Sequence, residues 1–207
     1  MSAETGGPQQ YNYMIRLFKS LYKSLNEENI PTESQIFQKA TDEFNHYGYQ
    51  CPNCKATGKL SFHSLYERGL VSFYNKNVTD SRINPRRLKC ASCGTSHALL
   101  PDILVPYSPY TLPFMLTVLI AYFERETSVV NICADFGIAV STLYEWKKRL
   151  AKCKDFLLGV VLSLNKPALS FLNELFASDC LSDLLNTFFE KYGFSFLQAM
   201  ATRYHPP

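Results

Sequence analysis

Four cysteines in two pairs carry the clearest chemistry in this sequence. Cys51 and Cys54 form one C-x-x-C pair, and Cys90 and Cys93 form a second pair after an intervening segment, residues 55–89. Two such pairs can place four thiolates around one metal ion at about 2.3 Å, in a closed tetrahedron that leaves no position for water. The sequence therefore predicts one structural Zn²⁺ ion with all four cysteines as ligands.

The same sulfurs allow three other interpretations. They could form a redox dithiol, they could bind iron as in rubredoxin, or His97 could replace one cysteine as a ligand. The chain has seven cysteines, and the three outside the pairs lie in apolar segments with a helical pattern. An odd number with this distribution favours a metal site over a set of disulfides.

Strands are expected between the two pairs, as in a zinc ribbon. Residues 60–66 and 70–74 alternate or cluster apolar and aromatic side chains, with Arg68 and Gly69 as a turn, which predicts a β-hairpin. A third strand would lead into the second cysteine pair, and residues 75–85 would form a polar loop.

Positive charge is concentrated in two stretches of the chain. Residues 51–93 carry 8 basic and 2 acidic side chains and residues 140–154 carry 5 and 1, although the net charge of the whole chain is only +3. Such clustering is typical of a surface that binds phosphates, whereas one isolated basic run is more often solvated surface. The expected phosphate contacts in the first stretch are Arg82, Arg86, Arg87 and Lys89.

The second basic stretch has the composition of a recognition helix. Leu143, Trp146 and Leu150 share one apolar face and leave polar and basic side chains on the other. Hydroxyl groups and the positive end of the helix dipole can bind DNA phosphates. Tyrosine and glutamate can reach base edges, and lysine and arginine can neutralise the phosphate backbone of DNA. The expected DNA contacts here are Ser141, Thr142, Tyr144, Glu145, Lys147, Lys148, Arg149 and Lys152.

Two helices are predicted to precede the recognition helix. Pro113 opens an apolar segment that ends near Arg125, and apolar residues at helical spacing predict a second helix over 128–136. Gly137 then supplies the turn residue of a helix-turn-helix. The alternative is an αα-hairpin in the core, in which Trp146 only packs and the lysines are only solvated.

Helices are also expected on both flanks. Met14 and Leu17 begin a helical spacing, and Thr32 with Gln35 forms a capping box for a second helix. Leucine and phenylalanine recur at helical spacing in the C-terminal part, most clearly over 181–189. These stripes are expected to be core, with a homodimer seam or a docked protein partner as alternatives.

Together these patterns predict a mainly α fold with a small β zinc ribbon. The expected regions are a disordered tip (1–10), an N-terminal helical pair (11–47), the ribbon (48–100), the helix-turn-helix (101–154) and a C-terminal helical region (155–207). No apolar run approaches the roughly 20 residues that cross a bilayer, and the polar first residues do not fit a secretory signal. A cytoplasmic, nucleoid-associated protein is therefore expected.

The segment SVVNICADFGIAVSTLYEWKKRL, residues 128–150, resembles the helix-turn-helix of bacterial transposases and related regulators. A four-cysteine ribbon before such a motif resembles DNA-binding proteins and transposase N-terminal regions of bacterial insertion sequences. The segments CGTSHALLPDILVPYSPY and GFSFLQ are similar to an uncharacterised, partly transposase-like zinc-ribbon family of Firmicutes-type bacteria. The resemblance implies that the four paired cysteines bind metal and that residues 141–149 read DNA.

The sequence favours a binding protein over an enzyme. A transposase needs clustered carboxylates that hold two metal ions. The carboxylates after residue 154 are instead scattered over helical segments: Asp155, Glu174, Asp179, Asp183 and Glu190. No catalytic residue is predicted, and the expected function is binding of double-stranded DNA as a transposition accessory or regulator. A protein-interaction adaptor and the DNA-binding subunit of a split transposase are the alternatives.

Overall fold

The computed structural model describes residues 14–17, 32–74, 77–158, 168–177 and 181–199. Within these ranges the strands are β1 (Met14–Leu17), β2 (Leu60–Leu65), β3 (Arg68–Tyr74), β4 (Asn77–Ile83), β5 (Arg86–Cys90) and β6 (Ser96–Pro101). The helices are α1 (Glu33–Asp42), α2 (Leu112–Glu124), α3 (Val129–Asp135), α4 (Val140–Leu158), α5 (Ala168–Ala177) and α6 (Leu181–Tyr192).

The predicted mainly α fold is wrong, because the strands form two sheets beside the helices and make the fold mixed α/β. One sheet has the order β1, β6, β5, β2, and β3 and β4 form the other. The predicted tip over 1–10 lies outside the described residues, as do residues 18–31 of the predicted N-terminal helical pair and, near the other end, Asp179. Asp155 and Glu174 lie in α4 and α5, but the structure does not describe their side chains.

The first strand corrects the prediction of a helix beginning at Met14. β1 pairs in parallel with β6, and all four of its residues are buried. Arg16 is among them, and its Nη1 donates a hydrogen bond to the carbonyl of Leu104 at 2.8 Å. A strand buried on both faces lacks the alternation of a half-exposed strand, so its apolar spacing could be mistaken for a helical one.

The predicted hairpin between the cysteine pairs is also wrong. β2 pairs antiparallel with β5, whereas β3 pairs antiparallel with β4. Arg68 and Gly69 therefore lie within a strand and not in a turn, and the segment expected as a polar loop over 75–85 contains β4. Most of β4 faces solvent and carries polar side chains, so the apolar alternation that would identify a strand is missing. The predicted third strand is present as β5.

The helices α2, α3 and α4 lie where their apolar spacing predicts them. Thr111 caps α2 and Ser128 caps α3 by accepting hydrogen bonds from first-turn amides. Gly137 has a φ of 61°, in the left-handed region that suits glycine, and it separates α3 from α4. Trp146 of α4 is buried edge-on against Phe114 of α2, and Phe114 also lies edge-on to Phe136 at the end of α3, so these rings join the three helices.

The hairpin and the flanking helices complete the same core. Phe73 of β3 lies 5.3 Å from Phe136, at the end of α3, between ring centroids. In the C-terminal part, Leu172, Leu185 and Phe188 are buried in this core, so the predicted stripes of α5 and α6 pack within the chain. The capping box predicted for α1 is present. No helix in the described ranges is both long and apolar enough to cross a membrane.

Candidate metal centre and basic surfaces

The four paired cysteines come together in one cluster, in which all the sulfur atoms lie within 4.8 Å of one another. Two of the distances, Cys51 Sγ to Cys93 Sγ and Cys54 Sγ to Cys90 Sγ, are both 3.7 Å. In a tetrahedron with metal–sulfur bonds of about 2.3 Å, the sulfurs are about 3.8 Å apart. A disulfide would bring two sulfurs to about 2.05 Å. The cluster therefore fits one metal ion, with the predicted cysteines as its ligands.

The two cysteine turns have the same backbone design. The amide of Lys55 donates to the carbonyl of Cys51 at 2.9 Å, and the amide of Gly94 donates to the carbonyl of Cys90 at 2.8 Å. Lys55 and Gly94 both have a left-handed backbone conformation, with φ values of 61° and 72°. Each turn therefore brings its two sulfurs to the same side of the backbone, and a lysine holds in the first turn the conformation that glycine holds in the second.

We expect Lys55→Gly to raise the free energy of unfolding of the metal-loaded protein by about 0.5–1 kcal/mol. A side chain costs about 1–2 kcal/mol in the left-handed region, and the greater flexibility of glycine in the unfolded chain offsets part of the gain. Gly94→Lys is the matched control and should be destabilising. Guanidinium titrations of both variants measure this, and a loss of stability in Lys55→Gly would contradict the equivalence of the turns.

The cysteines differ in how readily they become thiolates. The side chain and amide of Thr95, together with Asn53, lower the pKa of the exposed Cys93 thiol to about 5 by hydrogen bonding. Burial raises the pKa of Cys51 to about 11. Metal ligands must be deprotonated, and a bound cation stabilises the thiolate that it contacts. Hydrogen bonding thus favours the thiolate of Cys93, and burial disfavours that of Cys51.

Two residues beside the cluster support the cysteines without belonging to the set of four. His97 is fully buried with its Nε2 3.3 Å from Cys51 Sγ, where a ring N–H can donate to the sulfur. Asn53 Nδ2 donates to Thr95 Oγ1 at 3.1 Å and so links the two turns. The sequence predicts His97 only as a replacement ligand, and it does not predict Asn53, because the middle positions of C-x-x-C carry no spacing signal.

The basic residues near the cysteines differ in whether they form an ion pair with a residue that the structure describes. Arg82 forms an ion pair with Glu67, and Arg86 forms one with Asp42 at 2.6 Å. Arg87 and Lys89 are exposed and lie two residues apart on β5, which places them on the same face of the sheet. These two therefore remain the better candidates for contacts with phosphate.

The predicted contacts on α4 lie mainly on one exposed stripe. Ser141, Tyr144, Glu145, Lys148 and Lys152 are exposed, at the spacing of one helix face. The other three, Thr142, Lys147 and Arg149, are half-buried.

Lys147 also contacts the helix that packs against α4. Its Nζ donates to the hydroxyl of Tyr122 at 2.9 Å and lies 5.1 Å from the centre of that ring. Tyr122 belongs to α2, so Lys147 joins α4 to α2. This contact uses one of the three donors of the ammonium group, so the contact of Lys147 with DNA stays a prediction.

A family model described as a domain of unknown function (DUF6431) matches residues 51–146. The match begins at the first cysteine, includes both cysteine turns and the β3–β4 hairpin, and ends at the buried tryptophan of α4. Lys147, Lys148, Arg149 and Lys152 lie beyond it. No curated protein and no solved structure shows significant similarity to the chain.

Proposed function

We propose that this protein binds double-stranded DNA through α4 and that a structural zinc ion holds its cysteine turns. The observation that carries the proposal is the exposed stripe of hydroxyl, tyrosine and lysine side chains on α4, opposite the face that buries Trp146. A helix of this composition, held by two others across a glycine turn, suits insertion into the major groove.

The start of α4 supports this proposal. The carbonyl of Ala139 accepts hydrogen bonds from the amides of Thr142 and Leu143, which places Ala139 at the N-cap position. Alanine has no side-chain acceptor for the other first-turn amides, and Ala139, Val140 and Ser141 are exposed. These amides and the positive end of the helix dipole are therefore available to a DNA phosphate.

Two lysines extend the same face. Lys148 and Lys152 are one helical turn apart, both are exposed, and neither forms an ion pair with a residue that the structure describes. Unpaired exposed lysines at this spacing can follow a phosphate backbone. Tyr144 and Glu145, nearer the N-terminus of α4, would then face base edges.

The identity of the metal and the biological role belong to the same proposal. Four thiolates at tetrahedral spacing with no open position are typical of structural zinc. The likeness of residues 128–150 to transposase helix-turn-helix segments supports a role in a mobile element, as a transposition accessory or a regulator. The DNA-binding subunit of a split transposase would use the same surface.

The experiment is a selection from a random double-stranded DNA library across a salt series, with sequencing of the bound fraction. We expect binding that weakens steeply with salt, because each neutralised phosphate releases counterions, and an enriched motif, because base contacts select sequence. Absence of binding at low salt would overturn the proposal. Binding without an enriched motif would restrict α4 to phosphate contacts.

A second candidate function, an adaptor that binds another protein, is favoured by the edge strand β2. Among the strands that the structure describes, β2 pairs with β5 alone, and it exposes Phe62 (56%) and Leu65 (55%). A free strand edge with exposed apolar side chains can accept a strand from a partner. Failure of the DNA selection would favour this function.

A further inference from the structure

A cavity of about 420 Å³ opens between the four-stranded sheet and the loop after β6. Its lining includes the apolar side chains of Met14 in β1 and Ala98 in β6, which are partners across the sheet. Arg87, Tyr66 and Tyr107 also line the cavity, and the side chain of Tyr107 is exposed. This volume is within the range of about 300–1,000 Å³ that holds small ligands.

Tyr107 lies in a backbone conformation that its side chain disfavours. Its φ is 59°, it follows Pro106, and the amide of Ser108 donates to the carbonyl of Val105 at 3.2 Å. These are the features of a type II turn, which favours glycine or asparagine at the position of Tyr107. The side chain is 71% exposed, so burial does not offset the strain. Its presence suits a contact with a ligand better than a contribution to stability.

The turn is nevertheless held firmly in place. The guanidinium of Arg68 donates to the carbonyls of Val105 and Ser108, the first and last residues of the turn. Arg68 itself lines the cavity. The turn that carries Tyr107 is therefore fixed, and a ligand would not have to order it.

Arg87 gives the cavity its accessible positive charge. It is exposed, its guanidinium lies 4.6 Å from the centre of the Tyr66 ring, and it forms no ion pair with a described residue. Glu67, the acidic residue of the lining, is instead paired with Arg82. A planar guanidinium fixed over an aromatic ring is well suited to bind a phosphate through two hydrogen bonds.

We propose that this cavity binds a single nucleotide, with the phosphate on Arg87 and the base stacked on Tyr107 beside the apolar side chains of the lining. A cation, an exposed aromatic ring and an apolar surface side by side match the phosphate and the planar base of such a ligand. The nucleotide could be free in solution, or it could be an unpaired nucleotide of the DNA assigned to α4. The second source rests on the proposed function.

The test titrates the full metal-loaded chain with thymidine 5′-monophosphate, thymidine and inorganic phosphate, with tyrosine NMR signals as the readout. We expect the monophosphate to bind at least about tenfold more tightly than the other two, and Arg87→Ala or Tyr107→Gly to weaken it by about tenfold. Tyr107→Gly should not lower the melting temperature, because glycine suits the turn. Lys39→Ala, with the same change in charge, should bind normally.

Equal binding of inorganic phosphate and the monophosphate, or no binding of the monophosphate, would overturn the nucleotide site. A duplex with one unpaired thymidine distinguishes the two sources. If wild type prefers it over the fully paired duplex and Tyr107→Gly does not, the nucleotide belongs to DNA; monophosphate binding without this preference indicates a free nucleotide. If the protein binds paired duplex in a salt-dependent way but does not bind the monophosphate, the nucleotide site is wrong and the proposed function stands. If it binds the monophosphate but not the duplex, only the proposed function is overturned.

Discussion

Removal of the metal ion is expected to unfold the cysteine turns and the strands around them. The strands pack on a small cluster of their own: Ile15, Leu17, Cys51, Leu60, Leu88, Cys90 and Leu99. Two of these seven side chains are proposed metal ligands, so removal of the metal should also disrupt the packing of this cluster. A cluster of this size contributes little folding free energy without the ion, whereas a structural zinc site contributes on the order of 10 kcal/mol to folding.

Amide hydrogen exchange with and without a strong chelator measures this effect. Protection of β2, β5 and β6 should be lost, whereas the core of α2, α3 and α4, which contains no ligand cysteine, should keep most of its protection. Elemental analysis should find one zinc per chain in the wild type and less in Cys54→Ser. Cys133→Ala, which removes a sulfur from the helical core, is the control and should retain zinc. Unchanged protection after complete removal of the metal would contradict a structural role.

Features with a local signal could be predicted from the sequence. Thr32 and Gln35 stand three residues apart at the start of α1, and their reciprocal hydrogen bonds depend on that interval alone. Gly137 ends α3 for an equally local reason, its left-handed backbone. The cysteine cluster was also predictable, because C-x-x-C fixes each half of the site within four residues.

Strand pairing could not be predicted, because it depends on residues far apart in the chain. Met14 pairs with Ala98 and Leu60 pairs with Cys90, and neither partner can be inferred from its own neighbours. β3 was expected to pair with the preceding strand, but it pairs with β4, whose polar sequence gives no strand signal. The number of strands was underestimated for this reason, and the fold class with it.

Local charge has a similar weakness as a predictor of contacts. It identified Arg82 and Arg86 as candidates equal to Arg87, although each of the first two is paired with a carboxylate. Asp42, the partner of Arg86, lies on α1 and outside the basic stretch. A local excess of basic residues therefore indicates a charged region, but the fold decides which of its side chains can meet a ligand.

Replacement of Lys148 and Lys152 by alanine is expected to weaken binding to duplex DNA on the order of tenfold at moderate salt. If each lysine neutralises one phosphate, the slope of log K against log salt should decrease in magnitude by about 1.8, at about 0.9 per contact. Both side chains are exposed, so stability should change little. Fluorescence anisotropy across a salt series measures affinity and slope together.

The control for this variant must remove the same charge from another surface. Lys39→Ala with Lys191→Ala does so, because both lysines are exposed and lie in the last turns of α1 and α6. A general effect of net charge would weaken binding equally in both double variants. A loss confined to the Lys148 and Lys152 variant would assign the phosphate contacts to α4, since long-range attraction between exposed charges is screened within about 10 Å at 0.1 M salt. Equal losses would remove α4 from the interface and leave Arg87 and Lys89 of β5 as the candidates for it.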